Sequence, residues 1–263
     1  CPTATPGFYS SRPAVCLPMC GHGTIGIVTF ALENGLITPR EPGKLRLEVP
    51  AGIIDIAFET AGDRVTSVKI RNVPAYLAEE GIQIDVPGFG ALTVDVSYGG
   101  NFYAIIEPQG AYSGIDALGA AEILRLSPIV RTLVREKFEP VHPLDPTIRG
   151  VSHVLWADAP RAPDADGRNA VFYGDRAIDR SPCGTGTSAR LAHLAAKGKL
   201  KVGDAYVHES IIGSRFIGRV EAEVELGDRT AIIPSVEGSA IATGHNILWI
   251  DRADPFWSGF QVI

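Results

Sequence analysis

The chain has 263 residues, 45 % of them hydrophobic, and a formal net charge of −6 at pH 7. This length and composition allow one large or two medium domains with a sizeable core, so we expect a soluble globular protein. The charges are interspersed, which argues against nucleic acid as a partner. The sequence shows no leader pattern and no apolar stretch of about 20 residues, so we expect a cytoplasmic protein instead of a membrane protein.

The first recognisable element is a glycine-rich turn followed by a helix. The segment CGHGTIGIVTFALENGL, which starts at Cys20, predicts a helix of about three turns that ends at Gly35, because glycine readily adopts the left-handed conformation that closes a helix. The segment CGTGTSARLAHLAAKGKL from Cys183 aligns with it without a gap, so Gly35 matches Gly198. Four cysteines are too few for a disulfide scaffold in a chain of this size. The pair therefore indicates an internal repeat around two cysteines with a special role.

The region between the two motifs is predicted to be mostly sheet. The segments KLRLEVP, RVTSVKI and IQIDV alternate apolar and polar residues, and ALTVDVSYGGNFYAII adds a longer run broken by a glycine pair. From Ile115 to Phe138 apolar residues recur at helical spacing. This spacing predicts a connecting helix, interrupted where Ser127 and Pro128 resemble an N-cap and a first helical residue.

A proline-rich segment, EPVHPLDPTIRG, separates the two halves, and strand patterns resume in VSHVLWA, AVFYG, ESIIGSRFIGRVEAEVEL and TAIIPSV. We place the boundary near Val141, which predicts a first domain over 1–140 and a second over 141–245, with 246–263 packing back on the first. Residues 158–169 are predicted to form a surface loop. The expected fold class is α+β, with two pseudo-symmetric domains, each a mainly antiparallel sheet around a helix led by a Cys-Gly turn, and a ligand cleft between them.

The paired cysteines suit the inversion of an amino-acid α-carbon. Inversion needs two acid/base groups on opposite faces of the carbon, because a single base tends to return the proton to the face it came from. A cysteine thiol has a reference pKa of about 8.5, so thiol and thiolate are both accessible near neutral pH. Each cysteine precedes a helix start, where unpaired N–H groups favour negative charge on the sulfur or on a bound carboxylate. Two thiolates in one cleft repel each other, so we expect the pair to share one proton and titrate as a unit.

Five segments carry a resemblance to a known family. The segments MCGHGTIG, DRSPCGTGTSA, YGGNFYAI, HESIIGSRF and DPFWSGF resemble motifs of the proline racemase and hydroxyproline epimerase family, and the similarity spans nearly the whole chain from about Pro18 onward. The resemblance implies the two-domain diaminopimelate-epimerase-type fold. It also implies catalysis without cofactor or metal, with Cys20 and Cys183 as the two acid/bases.

The same resemblance implies further site residues. His22 and Asp179 are expected near the nitrogen of a proline-type substrate. The substrate carboxylate is expected to be surrounded by backbone amides, namely those of Gly21, Gly23, Gly184, Thr185, Gly186 and Thr187.

Two details within the family favour 4-hydroxyproline as the substrate. GHGT after the first cysteine and TSA in the second motif are more similar to the 4-hydroxyproline 2-epimerases than to strict proline racemases. The related trans-3-hydroxyproline dehydratases usually have Thr at the position of Cys183. We therefore expect epimerisation of trans-4-hydroxy-L-proline to cis-4-hydroxy-D-proline, with proline racemase and 3-hydroxyproline dehydratase as alternatives.

The N-terminal part is expected to be shortened. Only 19 residues precede Cys20, fewer than family members normally carry before this motif. This makes a non-catalytic, proline-binding homologue a further alternative. The oligomeric state stays open, with a homodimer as one candidate.

Simpler interpretations remain for individual motifs. GHGTIG and GTGTSA also match the dinucleotide-binding pattern G-x-G-x-x-G/A, although the downstream pattern lacks alternating strands and helices. Cys16, Cys20 and His22 could belong to a metal site, but no second close Cys/His pair completes the usual zinc spacing. Each cysteine alone could be a buried core residue, His22 could cap a turn, and Asp179 could be a loop carboxylate. The other histidines have no usable partner spacing and are expected to be structural.

Overall fold

The computed structural model describes residues 11–12, 15–174, 177–245, 247 and 249–259. Its first elements are two short antiparallel strands, β1 (Ser11–Arg12) and β2 (Val15–Cys16), and the helix α1 (Gly21–Glu33). Asn34 closes α1, and Gly35 follows with φ 64°, the left-handed conformation expected at this position. The predicted glycine-rich start and glycine stop of the first helix are therefore confirmed.

Six strands follow α1, and most of them alternate buried and exposed side chains. They are β3 (Lys44–Val49), β4 (Gly52–Ala61), β5 (Arg64–Arg71), β6 (Tyr76–Val86), β7 (Gly90–Tyr98) and β8 (Phe102–Ile106). The strand patterns predicted here are confirmed, with IQIDV forming the end of the longer β6 and the glycine pair separating β7 from β8. β4 was not predicted, although Ile54 and Ile56 are buried between exposed neighbours.

The connecting helix α2 (Ile115–Lys137) lies where it was predicted, but the predicted interruption at Ser127 and Pro128 is wrong. The Ser127 hydroxyl donates to the carbonyl of Ile123 at 2.6 Å and accepts from the indole N–H of Trp156 at 2.9 Å. This buried side-chain contact holds the turn in place although proline lacks a backbone donor. The departure from helical geometry lies instead at Gly119, with φ 76° and ψ 159°.

The second half contains one helix and six strands among the described residues. These elements are β9 (His153–Asp158), β10 (Gly167–Gly174), β11 (Ala177–Ile178), α3 (Gly184–Ala196), β12 (Ala205–Ser210), β13 (Arg215–Leu226) and β14 (Arg229–Gly238). The long pattern from Glu209 is divided by a turn into the end of β12 and the whole of β13. Residues 159–166 form a loop, so the surface loop predicted over 158–169 is confirmed in its middle, but Asp158 ends β9 and residues 167–169 begin β10.

Twelve strands of the described part form one sheet, in the order β3-β4-β5-β14-β13-β12-β10-β9-β8-β7-β6, with β11 paired to β10. All pairs are antiparallel except β8 with β9 and β10 with β12, so the predicted mainly antiparallel α+β architecture is confirmed. Two pairings, β5 with β14 and β8 with β9, join segments on either side of Val141. The division into two domains at that residue stays a prediction.

The two motif helices differ in how deeply they are buried. Every residue of α3 from Gly184 to Leu194 is buried, and the helix packs against β6, β7, β13 and β14. α1 packs on β5 and keeps an exposed face. Ile247, Trp249 and Ile250 are at least 74 % exposed, and the expected packing of 246–263 on the first half stays a prediction. Within the described ranges, no helix is long and apolar enough to cross a membrane.

Candidate active site

The two cysteines stand at equivalent positions, each directly before a helix. Cys20 is the N-cap of α1 in extended conformation, and Cys183 is the N-cap of α3 with φ 63°. Cys183 is the only non-glycine residue with positive φ among those that the structure describes. An L-residue adopts this conformation at an energetic cost, so the surrounding contacts must hold the turn. Gly198, with φ 69°, ends the stretch after α3 as Gly35 does after α1.

The first turns of α1 and α3 contact each other through their backbones. A Cβ placed on Gly21 would lie 2.6 Å from the Cα of Gly184, and one on Gly184 would lie 2.7 Å from the Cα of Gly21. The Cβ on Gly21 would also lie 3.3 Å from the backbone nitrogen of Thr185, and the Cβ on Gly184 would lie 3.4 Å from the backbone nitrogen of His22. Two helix N-termini therefore bring their unpaired N–H groups to one place, which favours a bound anion such as a carboxylate.

Two of the predicted amide donors have other partners. The N–H of Thr187 donates to the carbonyl of Cys183 at 2.7 Å, the ordinary helical hydrogen bond. The N–H of Gly186 donates to the sulfur of Cys183. The amides of Gly21, Gly23, Gly184 and Thr185 lie within the first turns of α1 and α3, where N–H groups have no helical acceptor.

His22 and Asp179 link the two motifs directly. The Nδ1 of His22 lies 3.0 Å from Oδ2 of Asp179, and Asp179 Oδ1 accepts from both the N–H and the hydroxyl of Ser181 at 2.9 Å. The hydrogen bond with Asp179, followed by one with Cys20, raises the pKa of His22 to about 10. Burial alone would raise the pKa of Asp179, but its hydrogen bond with His22 lowers it. At neutral pH this link is an imidazolium–carboxylate pair.

The two sulfur atoms lie in different environments. Cys183 is 5 % exposed, and burial, followed by the charge of Asp179, raises the pKa of its thiol to about 12. Cys20 is partly exposed and hydrogen-bonds with His22. A protonated imidazole favours a neighbouring thiolate. The raised pKa keeps Cys183 a thiol at neutral pH.

Several site residues were not singled out from the sequence. Tyr103 on β8 places its hydroxyl 3.2 Å from the sulfur of Cys183, and Asn101 donates to the carbonyl of Met19 at 2.8 Å. Ser181 accepts the N–H of Cys183 at 3.0 Å. All these residues lie within segments that carry the family resemblance, YGGNFYAI and DRSPCGTGTSA. The segments gave no local signal for which members would touch the cysteines.

Two further features bear on what the site could bind. No group of three or more His, Cys, Asp or Glu side chains is placed to hold a metal ion within the described part of the chain. A cavity of about 410 Å³ lies beside the C-terminal half of α3 and is lined mainly by apolar side chains, including Ala195, Leu200 and Ile232. None of the predicted site residues lines that cavity. The mainly antiparallel sheet also makes the dinucleotide-binding interpretation of the glycine motifs wrong.

Sequence comparison identifies a family and curated relatives. Residues 2–261 match the sequence profile of a family described as proline racemase. A 4-hydroxyproline 2-epimerase of Shewanella loihica is 57 % identical over 248 residues, which cover 94 % of this chain and 74 % of that protein. A 4-hydroxyproline 2-epimerase of Brucella suis is 56 % identical over 247 residues, with the same shares of 94 % and 74 %.

Two crystal structures are similar to almost the whole chain. A probable proline racemase from Agrobacterium radiobacter, with bound carbonate, superposes with a TM-score of 0.90 at 32 % identity, covering 99 % of this chain and 76 % of that one. A hydroxyproline epimerase from Agrobacterium vitis, with bound trans-4-hydroxy-L-proline, superposes with a TM-score of 0.89 at 30 % identity, covering 98 % and 74 %. The expectation of a proline racemase-like α+β fold is therefore confirmed.

Proposed function

Because this chain belongs to the proline racemase family, we propose that it is a cofactor-independent 4-hydroxyproline 2-epimerase in which Cys20 and Cys183 exchange protons with opposite faces of Cα. Its curated relatives are isomerases of this kind, and it is an isomerase. The observation that carries the mechanism is the contact between the first turns of α1 and α3, since each turn follows one of the two cysteines.

The substrate is held at both ends of its backbone. Its carboxylate lies between the two helix N-termini and accepts from the amides of Gly21, Gly23, Gly184 and Thr185. Its secondary ammonium lies near Asp179, which keeps its negative charge at neutral pH because its pKa is lowered. His22 fixes the orientation of the Asp179 carboxylate through the 3.0 Å hydrogen bond between Nδ1 and Oδ2.

Inversion consists of two proton transfers. The thiolate of Cys20 takes the α-proton of one epimer, so that a new S–H bond forms and the C–H electron pair moves towards the carboxylate. Cys183 then gives its S–H proton to the opposite face of Cα and keeps the electron pair as a thiolate. The reverse reaction starts from the enzyme form that this transfer leaves behind. The two cysteines therefore share one exchangeable proton between them.

Most of the rate enhancement comes from stabilising the charge that develops on the substrate. The helix dipole contributes about 0.3–1 kcal/mol per charge, which is small against the barrier for removing a proton from a weak carbon acid. Removing a single preorganised hydrogen-bond donor from such a charge commonly lowers kcat by about 10²–10³-fold. The paired helix N-termini supply several such donors without reorganisation.

A chiral assay in D₂O tests this function. We expect trans-4-hydroxy-L-proline to give cis-4-hydroxy-D-proline with one deuterium at Cα, faster than L-proline gives D-proline. Cys20→Ser and Cys183→Ser should each abolish inversion, whereas Cys16→Ser, outside both motifs, should retain it.

Three outcomes would replace this proposal. Faster inversion of L-proline would indicate a proline racemase, and a keto-type product from trans-3-hydroxy-L-proline would indicate a dehydratase. Calorimetric binding of prolines without deuterium incorporation would indicate a non-catalytic homologue. A homodimer and a cytoplasmic location stay predictions from the sequence.

A further inference from the structure

Tyr103 makes a contact with Cys183 that the proposed mechanism does not yet use. Its side chain is completely buried, and its ring stacks on His153 with centroids 4.7 Å apart. Its hydroxyl lies 3.2 Å from the sulfur of Cys183 and 2.6 Å from Oγ1 of Thr185. Burial raises the pKa of Tyr103 well above its usual value of 10, so the phenol keeps its proton. The hydroxyl is therefore able to donate to the sulfur.

The neighbouring hydrogen bonds decide the direction in which this hydroxyl donates. The Nδ2 of Asn101 lies 2.8 Å from the carbonyl of Met19, which can only accept, so this atom is the amide nitrogen. The second amide proton points to Oγ1 of Thr185 at 3.2 Å. Thr185 thus accepts from Asn101 and is left with one proton to donate.

That remaining proton has two possible acceptors, and their distances differ. Oγ1 of Thr185 lies 2.6 Å from the oxygen of Tyr103 but 3.9 Å from the sulfur of Cys183. The shorter contact is the normal length of a hydroxyl–hydroxyl bond, whereas the longer one is a weak contact. Thr185 therefore donates to Tyr103, and the phenol proton is directed at Cys183. The hydrogen bonds run in one direction from Asn101 to the sulfur.

We propose that Tyr103 is a positioning residue that donates a hydrogen bond from its hydroxyl to Cys183. This bond stabilises the thiolate that forms when Cys183 protonates Cα, so the inference rests on the proposed function. The S–H bond of Cys183 breaks, the new C–H bond forms, and the electron pair left on sulfur accepts the phenol proton as a hydrogen bond. The phenol itself is not deprotonated. Tyr103 acts on the substrate through Cys183.

The surroundings of Cys183 explain why the thiolate needs this donor. The sulfur is shielded from water, and the carboxylate of Asp179 lies close enough to raise the pKa of the thiol. The opposing contributions come from Tyr103 and from the N–H of Gly186, which both hydrogen-bond to the sulfur and lower the pKa. A Cβ on Gly186 would lie 3.2 Å from the sulfur, so a glycine there allows this close approach.

Tyr103→Phe removes the hydroxyl and keeps the ring. A lost hydrogen bond to a charged group raises the thiol pKa by about one to two units. We expect kcat for inversion to fall about 10- to 100-fold with KM within about twofold, because the lost bond acts on the sulfur that changes charge. The matched control is Tyr98→Phe, since Tyr98 is an equally buried tyrosine on β7 whose hydroxyl has no hydrogen-bond partner among the described residues.

A second readout needs no substrate. Iodoacetamide alkylation of each cysteine at a pH below the thiol pKa, followed peptide by peptide by mass spectrometry, reports the fraction of thiolate. The rate for Cys183 should fall about three- to tenfold in Tyr103→Phe, since lower thiolate content is partly offset by higher nucleophilicity. The rate for Cys20 should stay within about twofold, and Tyr98→Phe should change neither.

The two readouts separate this inference from the proposed function. An unchanged alkylation rate of Cys183 in folded Tyr103→Phe, or equal losses at both cysteines, would overturn the role of Tyr103. If the unmodified protein inverts no proline, the proposed function fails, and the alkylation rate still decides whether Tyr103 stabilises the thiolate. Thr185→Val, which removes the hydroxyl that orients Tyr103, should lower the Cys183 rate in the same direction but by less.

Discussion

At the scale of single residues, the pair formed by His22 and Asp179 controls the charge beside Cys20. We predict that Asp179→Asn lowers the pKa of His22 from about 10 towards its ordinary value of 6.5, because the hydrogen bond with Asp179 is the largest cause of the shift. Titration of the His22 ring signals by NMR measures this directly. Asp63→Asn, at an exposed position in the turn between β4 and β5, is the control.

The same pair predicts how stability depends on pH. A histidine with a raised pKa stabilises the folded state below pH 6.5, and this contribution is lost as the pH rises through about 10. Asp179 acts in the opposite direction, because its pKa is lower in the folded state than in the unfolded chain. It stabilises the folded state above the pKa of the unfolded chain, and this contribution is lost as the pH falls through the pKa of the folded state. For the NMR titration, a pKa of His22 that stays near 10 in Asp179→Asn would show that a group other than Asp179 holds the imidazole proton.

At the scale of elements, the contact between α1 and α3 limits residue size. A Cβ on Gly21 would lie 2.6 Å from a backbone atom of Gly184, which cannot move independently. We therefore predict that Gly21→Ala separates the two helix starts, costs about 1–3 kcal/mol of unfolding free energy, and lowers kcat at least about 100-fold. Urea denaturation and the inversion assay measure the two effects.

Gly26→Ala provides the matched control on the same helix. A Cβ at Gly26 meets no atom within 4 Å, and a helical alanine loses less backbone entropy than glycine. The free energy of unfolding of this variant should rise by about 0.5–1 kcal/mol, and its inversion activity should stay unchanged. If Gly21→Ala behaves like Gly26→Ala, the close backbone contact is not required for catalysis.

Local sequence signals predicted the elements that local chemistry determines. The glycines that begin and end α1 and α3 act within one turn, so both helices were predicted with correct positions. The interruption predicted at Ser127 was wrong because its hydroxyl bonds to Trp156, and a partner so distant in sequence leaves no local signal. β4 was missed although its alternation is regular.

Some residues of the candidate site could be predicted from the sequence, and others could not. The two cysteines and their glycines were found from a repeat within the chain, and His22 and Asp179 from motif positions. Tyr103 lies 80 residues from Cys183 in sequence and reaches it only because β8 passes beside α3. Nothing in the segment YGGNFYAI distinguishes this tyrosine from Tyr98, whose hydroxyl has no hydrogen-bond partner in the described part of the chain.

At the scale of the whole molecule, buried histidines link folding to pH. His208 is fully buried, its Nδ1 lies 2.9 Å from the Thr187 hydroxyl, and burial lowers its pKa to about 3. Because the unfolded chain binds this proton below about pH 6.5 and the folded chain does not, stability falls as the pH drops from 6.5 to 3. The expected slope is about 1.4 kcal/mol per pH unit.

Urea denaturation at several pH values between 7 and 4 tests this contribution. The variant His208→Asn keeps a polar group beside Thr187 but has no proton to gain, so its stability should change less steeply with pH. Equal slopes in the two proteins would mean that His208 does not take part in acid unfolding.

The position of α3 over the sheet depends on a buried charge cluster at its far end. Asp95 on β7 accepts from Nε2 of His193 at 2.7 Å and from the ammonium of Lys197 at 2.6 Å, while Arg190 donates to Nδ1 of His193 at 2.9 Å. Burial alone would raise the pKa of Asp95, but these hydrogen bonds hold it well below its usual range. His193 is therefore neutral, with its proton on Nε2. Asp95 is the anion that ties α3 to β7.

We predict that Asp95→Ala costs about 1–3 kcal/mol of unfolding free energy, because it leaves the Nε2 proton of His193 and the N–H of Gly81 without their acceptor, while Lys197 keeps its pair with Glu80 at 3.3 Å. Asp55→Ala is the control, since Asp55 pairs with Arg46 at 2.6 Å but both side chains are about half exposed, and loss of such a surface pair changes stability little. The contact of Gly21 with Gly184 fixes the other end of α3, so the molecules of Asp95→Ala that remain folded should keep their kcat. A loss of kcat without a loss of stability would mean that the cluster acts on Cys183 itself, instead of anchoring the helix that carries it.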